Sequence, residues 1–91
     1  MRVVVAGAGE TGRHLGAMLS RGGHDIVLID QDADALHEAE DSLDALTVQG
    51  DVTRRSVLRR GEIEKAYGYV AVTDKGTTNL LSAALARAAG A

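Results

Sequence analysis

The chain has 91 residues, 45% of them hydrophobic, with a formal net charge of -3 and no cysteine. That length makes one domain at most, and the missing thiols exclude disulfides, thiolate catalysis and cysteine-built zinc sites. Net negative charge argues against a binder of phosphate backbones, and with Tyr67 and Tyr69 as the only aromatics there is no platform for stacking bases, so no nucleic-acid partner is expected.

The elements alternate between strand and helix. Arg2 to Ala6 is an apolar strand, and it runs directly into Gly7-Ala8-Gly9-Glu10-Thr11-Gly12. The glycines follow the dinucleotide-binding spacing, and each has a physical task. Gly7 permits a tight turn, Gly9 lets backbone approach a pyrophosphate, and Gly12 lets the next helix lie close to the strand. That helix spans about Glu10 to Arg21, with Leu15, Met18 and Leu19 expected on its inner face and Gly22-Gly23 as its stop. Its free N–H groups and partial positive charge would face the phosphates.

Asp25 to Ile29 reads as a second strand, apolar throughout its interior as a strand covered on both faces must be. Asp30 ends it, about 20 residues beyond the glycines, where a carboxylate accepts from ribose hydroxyls. The bland alternative is that the glycines only turn the chain and Asp30 only closes a strand. Preceding strand, following helix and distal acid together favour the binding fingerprint.

A helix follows from Asp32 to about Ser42, with Ala35, Leu36 and Ala39 inward and His37, Glu38 and Asp41 outward. Leu43 to Val48 is a third strand, at a sheet edge by its Asp44. Thr53 to Arg60 is a short helix with Val57 and Leu58 inward, Tyr67 to Thr73 a fourth strand, and Thr77 to Ala89 a last helix before Gly90. Tyr67 and Tyr69, two apart, are expected on one side of the fourth strand, packed under a helix. Arg54, Arg55, Arg59 and Arg60 read as a solvated face diluted by Glu62 and Glu64. His14, His24 and His37 have no metal-ligand spacing.

Right-handed crossovers give an α/β, Rossmann-like, all-parallel sheet of strand order 3-2-1-4 with helices on both faces. The fourth strand is then an open edge. We therefore expect residues 1–91 to form a single domain, truncated on its C-terminal side relative to the complete fold or completed by a partner chain. No apolar stretch approaches membrane-spanning length, and the chain enters its first strand at once, so a soluble cytoplasmic protein is expected.

Several segments together resemble one family. They are Gly7 to Gly12, Gly23-His24-Asp25-Ile26-Val27-Leu28-Ile29-Asp30, Gly50-Asp51-Val52-Thr53, and Val70-Ala71-Val72-Thr73 followed by Asn79. The chain resembles, over essentially its whole length, the N-terminal lobe of RCK/KTN domains, the TrkA-N type of nucleotide-binding module in Trk-type potassium-uptake systems and potassium channels. Gly50-Asp51-Val52-Thr53 after the third strand and Val70-Ala71-Val72-Thr73 in the fourth discriminate this family from a generic dehydrogenase; the glycine loop does not. The resemblance implies a cytosolic regulator rather than a catalyst, assembled as a homodimer or larger ring beneath a membrane potassium transporter or channel, with ligand binding biasing its conformation. It implies that Gly7, Gly9, Glu10, Thr11 and Gly12 hold phosphates, that Asp30 binds the ribose, that Asp51 and Val52 border the adenine, and that Thr73 lies beside the rest of the ligand. Many relatives carry an acid two or three positions before the asparagine matched by Asn79, where this chain has Gly76 and Thr77.

Asp30 favours an unphosphorylated ribose over NADP. Glu10 stabilises the helix dipole but adds negative charge beside the phosphates, so NAD or NADH is expected ahead of ATP or ADP. Asp51 can accept from an adenine amino group or cap the helix near Thr53, and the two roles are compatible. Thr73-Asp74 either touches ligand or simply ends a strand. Replacing Asp30 with Ala is expected to weaken binding with the fold intact. The rival function is the cofactor-binding part of an NAD-dependent oxidoreductase. Against it, there is no Tyr-x-x-x-Lys pair, no histidine after the fourth strand and no room for a substrate domain.

Overall fold

The computed structural model describes residues 1–90. β1 (Arg2–Ala6), α1 (Glu10–Arg21), β2 (Asp25–Asp30), α2 (Ala33–Ser42), β3 (Leu46–Gln49), α3 (Arg55–Arg60), a 3-10 turn (Ile63–Lys65), β4 (Gly68–Ala71) and α4 (Gly76–Ala88) follow in turn. The strands form one sheet in the order β3-β2-β1-β4, every pair parallel. The expected Rossmann-like topology is the one observed.

The period of two in β1 and β2 builds two core layers, one on each face. Val4, Ala6, Val27 and Ile29 join Val57 and Leu58 of α3, Ile63 of the 3-10 turn and Ala86 of α4. Val3, Val5, Ile26 and Leu28 face the other way, onto Leu36 and Ala39 of α2. Each buried Val, Leu and Ile side chain contributes roughly 1.5–3 kcal/mol by leaving water, so the interior of the sheet is the rigid frame on which the loops are mounted. Where α1 crosses the sheet it buries Gly12 and Gly16, which brings its axis close. It ends in a Schellman arrangement: the Gly23 N–H donates to the Ser20 carbonyl (3.0 Å) and the His24 N–H to the Leu19 carbonyl (3.1 Å), with Gly23 at φ +90°.

Four details depart from the sequence-based expectations. Met18 is 52% exposed, because successive helical positions rotate by about 100° and the face turned to the sheet carries Gly12, Gly16 and Leu19. Strand three starts at Leu46 rather than Leu43, since the Leu43 N–H is still bonded to the Ala39 carbonyl and closes α2. Strand four is shorter than Tyr67–Thr73. Its pairing extends only to the Tyr67 N–H on the Arg2 carbonyl (2.7 Å) and the Val72 N–H on the Ala6 carbonyl (2.8 Å). Tyr67 consequently stands before the strand, 69% exposed, rather than beneath a helix. Tyr69 does pack against the core.

Candidate functional site

All the strands point their carboxyl ends to one side. There the chain leaves β1 for α1 while β4 returns on β1's other flank, so the loops diverge and open a crevice. This cleft has a volume of about 630 Å³.

The glycine loop forms its floor. Gly7 sits at φ +110°, and a Cβ there would lie 2.8 Å from the Val72 carbonyl oxygen. Its N–H donates to the Ile29 carbonyl at 2.8 Å, tying the turn to β2. Gly12 is more constrained still, because a Cβ would fall 1.7 Å from the Gly7 carbonyl oxygen. Nothing lies within 4 Å of a Cβ built on Gly9, which faces the open cleft. Gly9 is also the N-cap of α1 and supplies no side-chain hydrogen bond. The first turn of a 12-residue helix therefore offers its N–H groups to the cleft, with Glu10 and Thr11 lining the entrance.

Asp30 holds the opposite wall and braces the loop. One carboxylate oxygen accepts the Ala8 N–H at 2.8 Å and the other accepts the Asp32 N–H at 2.8 Å. Each oxygen retains a further lone pair for an incoming hydroxyl. Asp32 caps α2, accepting from the Asp34 and Ala35 N–H groups at 2.9 and 3.3 Å. On the far side, Thr73 and Lys75 line the cleft where β4 passes into α4.

Of the residues singled out from sequence, Gly7, Gly9, Glu10, Thr11, Asp30, Val52 and Thr73 line the cleft together. Gly12 lies buried beneath the loop, acting on the cleft only through the close approach it permits. Asp51 stands outside the lining. Its carboxylate accepts the Thr53 hydroxyl at 2.6 Å and the Thr53 N–H at 2.9 Å. The Thr53 hydroxyl, then the Thr53 N–H, hold the acid below its ordinary pKa. This is a local turn-capping role four residues ahead of α3, which begins at Arg55 rather than Thr53 and has Arg54, with no side-chain cap bond, as its N-cap. Gln31, Asp32, Lys75 and Thr78 also line the cleft, and sequence reasoning passed over them. Nothing local in the sequence shows that α4's first turn swings toward the glycine loop.

A parallel sheet with a glycine turn, an open helix N-terminus and an acid closing β2 defines a Rossmann-like domain of the dinucleotide-fold class. Within that class, the chain belongs to the TrkA-N domain family, which matches residues 3–91. It is 38% identical over 91 residues to a Trk system potassium uptake protein TrkA homologue of Archaeoglobus fulgidus, covering 100% of this chain and 20% of that protein. A TrkA homologue of Pyrococcus horikoshii is 32% identical over 87 residues, covering 96% of this chain and 38% of its own length. The chain thus spans between a fifth and two fifths of these relatives. Among solved structures, the Kef C-terminal domain of Shewanella denitrificans in its AMP-bound form superposes with a TM-score of 0.81. That match covers 97% of this chain and 52% of the other at 23% identity, a likeness of fold.

Proposed function

We propose that this domain is a cytosolic, nucleotide-sensing lobe that regulates a potassium transporter or channel. The observation that carries the reading is the pairing of α1's open N-terminus with Asp30 across one cleft, a site for phosphate at one end and ribose at the other. The names of its relatives support the transport context, and the AMP in the Kef domain shows that a domain of this fold holds an adenine nucleotide.

NAD or NADH is the ligand we favour, with ATP and ADP behind it. The carboxylates of Glu10, Asp30, Asp32 and Asp74 line the cleft with Lys75, a balance that disfavours a triphosphate. Asp30 disfavours a 2′-phosphate. Gly7, Gly9, Glu10, Thr11 and Gly12 serve the phosphates, Asp30 the ribose, and Val52 the adenine pocket that Asp51 shapes through its turn. Thr73 stands beside the remainder of the ligand. We place the domain in a homodimer or larger ring at the inner face of the membrane, residues 1–91 being one lobe completed by further strands or a partner chain. Ligand binding acts there by differential affinity for two arrangements, and the lobe is a regulator rather than an oxidoreductase.

NADH fluorescence provides the test. Addition of the domain is expected to enhance and blue-shift the emission with micromolar affinity, and NAD is expected to compete better than ATP or NADPH. Displacement by ATP at lower concentration than NAD would reverse the ligand assignment. An unchanged NADH spectrum with no competition by any nucleotide would overturn the sensing role.

A further inference from the structure

Asn79, which does not line the cleft, makes a three-bond clamp on the residue that does. Its side-chain Oδ1 accepts the Thr73 N–H at 3.0 Å and also the Thr73 hydroxyl, while its Nδ2 donates to the Thr73 carbonyl at 3.1 Å. Two donors on one side and a carbonyl on the other fix the amide's orientation without ambiguity. The Thr73 hydroxyl has a single proton but two acceptors within reach, Asn79 Oδ1 and the Lys75 carbonyl at 3.2 Å. It also accepts the Lys75 N–H at 3.3 Å. From Asn79 the bonding continues into the core: the buried Ser82 hydroxyl donates to the Asn79 carbonyl (3.2 Å) and accepts the Tyr69 hydroxyl proton (2.7 Å). On the outer side of the same helix, Leu80 and Leu81 are 77% and 51% exposed.

The clamp is therefore the polar joint between the cleft rim and α4. We infer that Asn79 is a positioning residue that couples occupancy of the cleft to α4, through a Thr73 hydroxyl that a ligand oxygen can draw away from it. A ligand acceptor entering beside Thr73 competes with Asn79 Oδ1 for the one proton. When it wins, Oδ1 keeps only the Thr73 N–H, and the first turn of α4 is held by two bonds instead of three. Helix α4, with its exposed leucines, then takes up a different equilibrium relative to β4. The inference rests on the nucleotide-sensing reading and deepens it, naming the residue that carries the signal out of the site.

Amide hydrogen exchange over residues 80–86 of α4, measured with and without saturating NADH alongside the fluorescence titration, tests this directly. In the parent domain NADH is expected to change exchange there by about fivefold or more, the lower end of ordinary coupling. In Asn79→Ala the domain is expected to keep binding NADH while the effect on α4 falls below about twofold. Thr73→Val keeps the shape and the N–H bond but deletes the hydroxyl, and is expected to lose the effect too, which covers the case of an unfolded Asn79 variant. Tyr69→Phe loosens the α4–β4 packing without touching the clamp and is expected to retain the effect. A parent that binds NADH with unchanged α4 exchange, or a clamp variant that keeps the full response, overturns the coupling role alone. A Tyr69→Phe domain that loses the response reduces Asn79 to general packing and overturns it likewise. A parent that leaves the NADH spectrum unchanged overturns the sensing reading and this inference together.

Discussion

Three glycines spaced along one loop have different physical reasons for being glycine, and substitution separates them. Alanine at Gly12 places a methyl 1.7 Å from the Gly7 carbonyl oxygen. The backbone must move, at a cost of about 3 kcal/mol or more, so Gly12→Ala is expected to melt at least about 10 °C lower or fail to fold. Alanine at Gly9 meets nothing within 4 Å. Exchanging glycine for a poorer N-cap costs at most about 1 kcal/mol, so Gly9→Ala is expected to fold normally yet lose nucleotide affinity tenfold or so, its methyl standing where phosphate oxygens approach. Paired thermal melts and NADH titrations read both. Asp30 calls for a revision of the same kind. The sequence suggests that Asp30→Ala spares the fold, but the carboxylate also accepts the Ala8 and Asp32 N–H groups. Orphaning the Ala8 N–H, in a fully buried residue, is expected to cost about 1–3 kcal/mol. The glycine spacing and Asp30's place at a strand end were visible in one dimension. The brace between them was not, because it joins atoms of two different strands' loops.

At the scale of elements, α1 and β1 came out with the limits their patterns suggest, because apolar periodicity, glycine stops and core demand all agree there. Thr73 did not stay in strand four, because pairing ends where β1 ends and Asn79 takes Thr73 instead. The interior of β4 meets α4 at Tyr69, whose hydroxyl donates to Ser82. Burial raises the Tyr69 pKa above its ordinary 10.0, with the Ser82 hydrogen bond acting in the opposite sense. The folded state thus holds the phenol proton more tightly than the unfolded chain. That contribution is complete below the unfolded value and is lost as pH rises through the folded one. Urea midpoints are expected to fall more steeply above about pH 10 in the parent than in Tyr69→Phe, which itself is expected to be about 1 kcal/mol less stable at neutral pH. Asp51 has the mirror behaviour. Its lowered pKa means that the Thr53 bonds stabilise the fold above the unfolded value of 3.8 and are lost as pH falls through the folded one. Asp51→Asn is expected to flatten the acid limb below about pH 4, and an unaltered limb would show that the turn contributes nothing to stability.

For the whole molecule, parallel pairing around β1 and β2 sets the strand order, and strand order sets where a ligand fits. That chain of consequence is why composition and pattern sufficed for the architecture and for most of the cleft. They did not show α4's first turn closing one wall, since this depends on how far β4 runs before the chain turns. The cleft is also the molecule's most direct point of test. A two-dimensional ¹H–¹⁵N spectrum of the labelled domain, titrated with NADH, reports on every backbone amide at once. The account predicts large shifts at Ala8, Gly9, Glu10 and Thr11, at Asp32 beside Asp30, and at Thr73 and Lys75, with the far ends of the strands near Arg2 and Asp25 unmoved. Shifts confined to other surfaces, or no shifts at millimolar NADH, would contradict it.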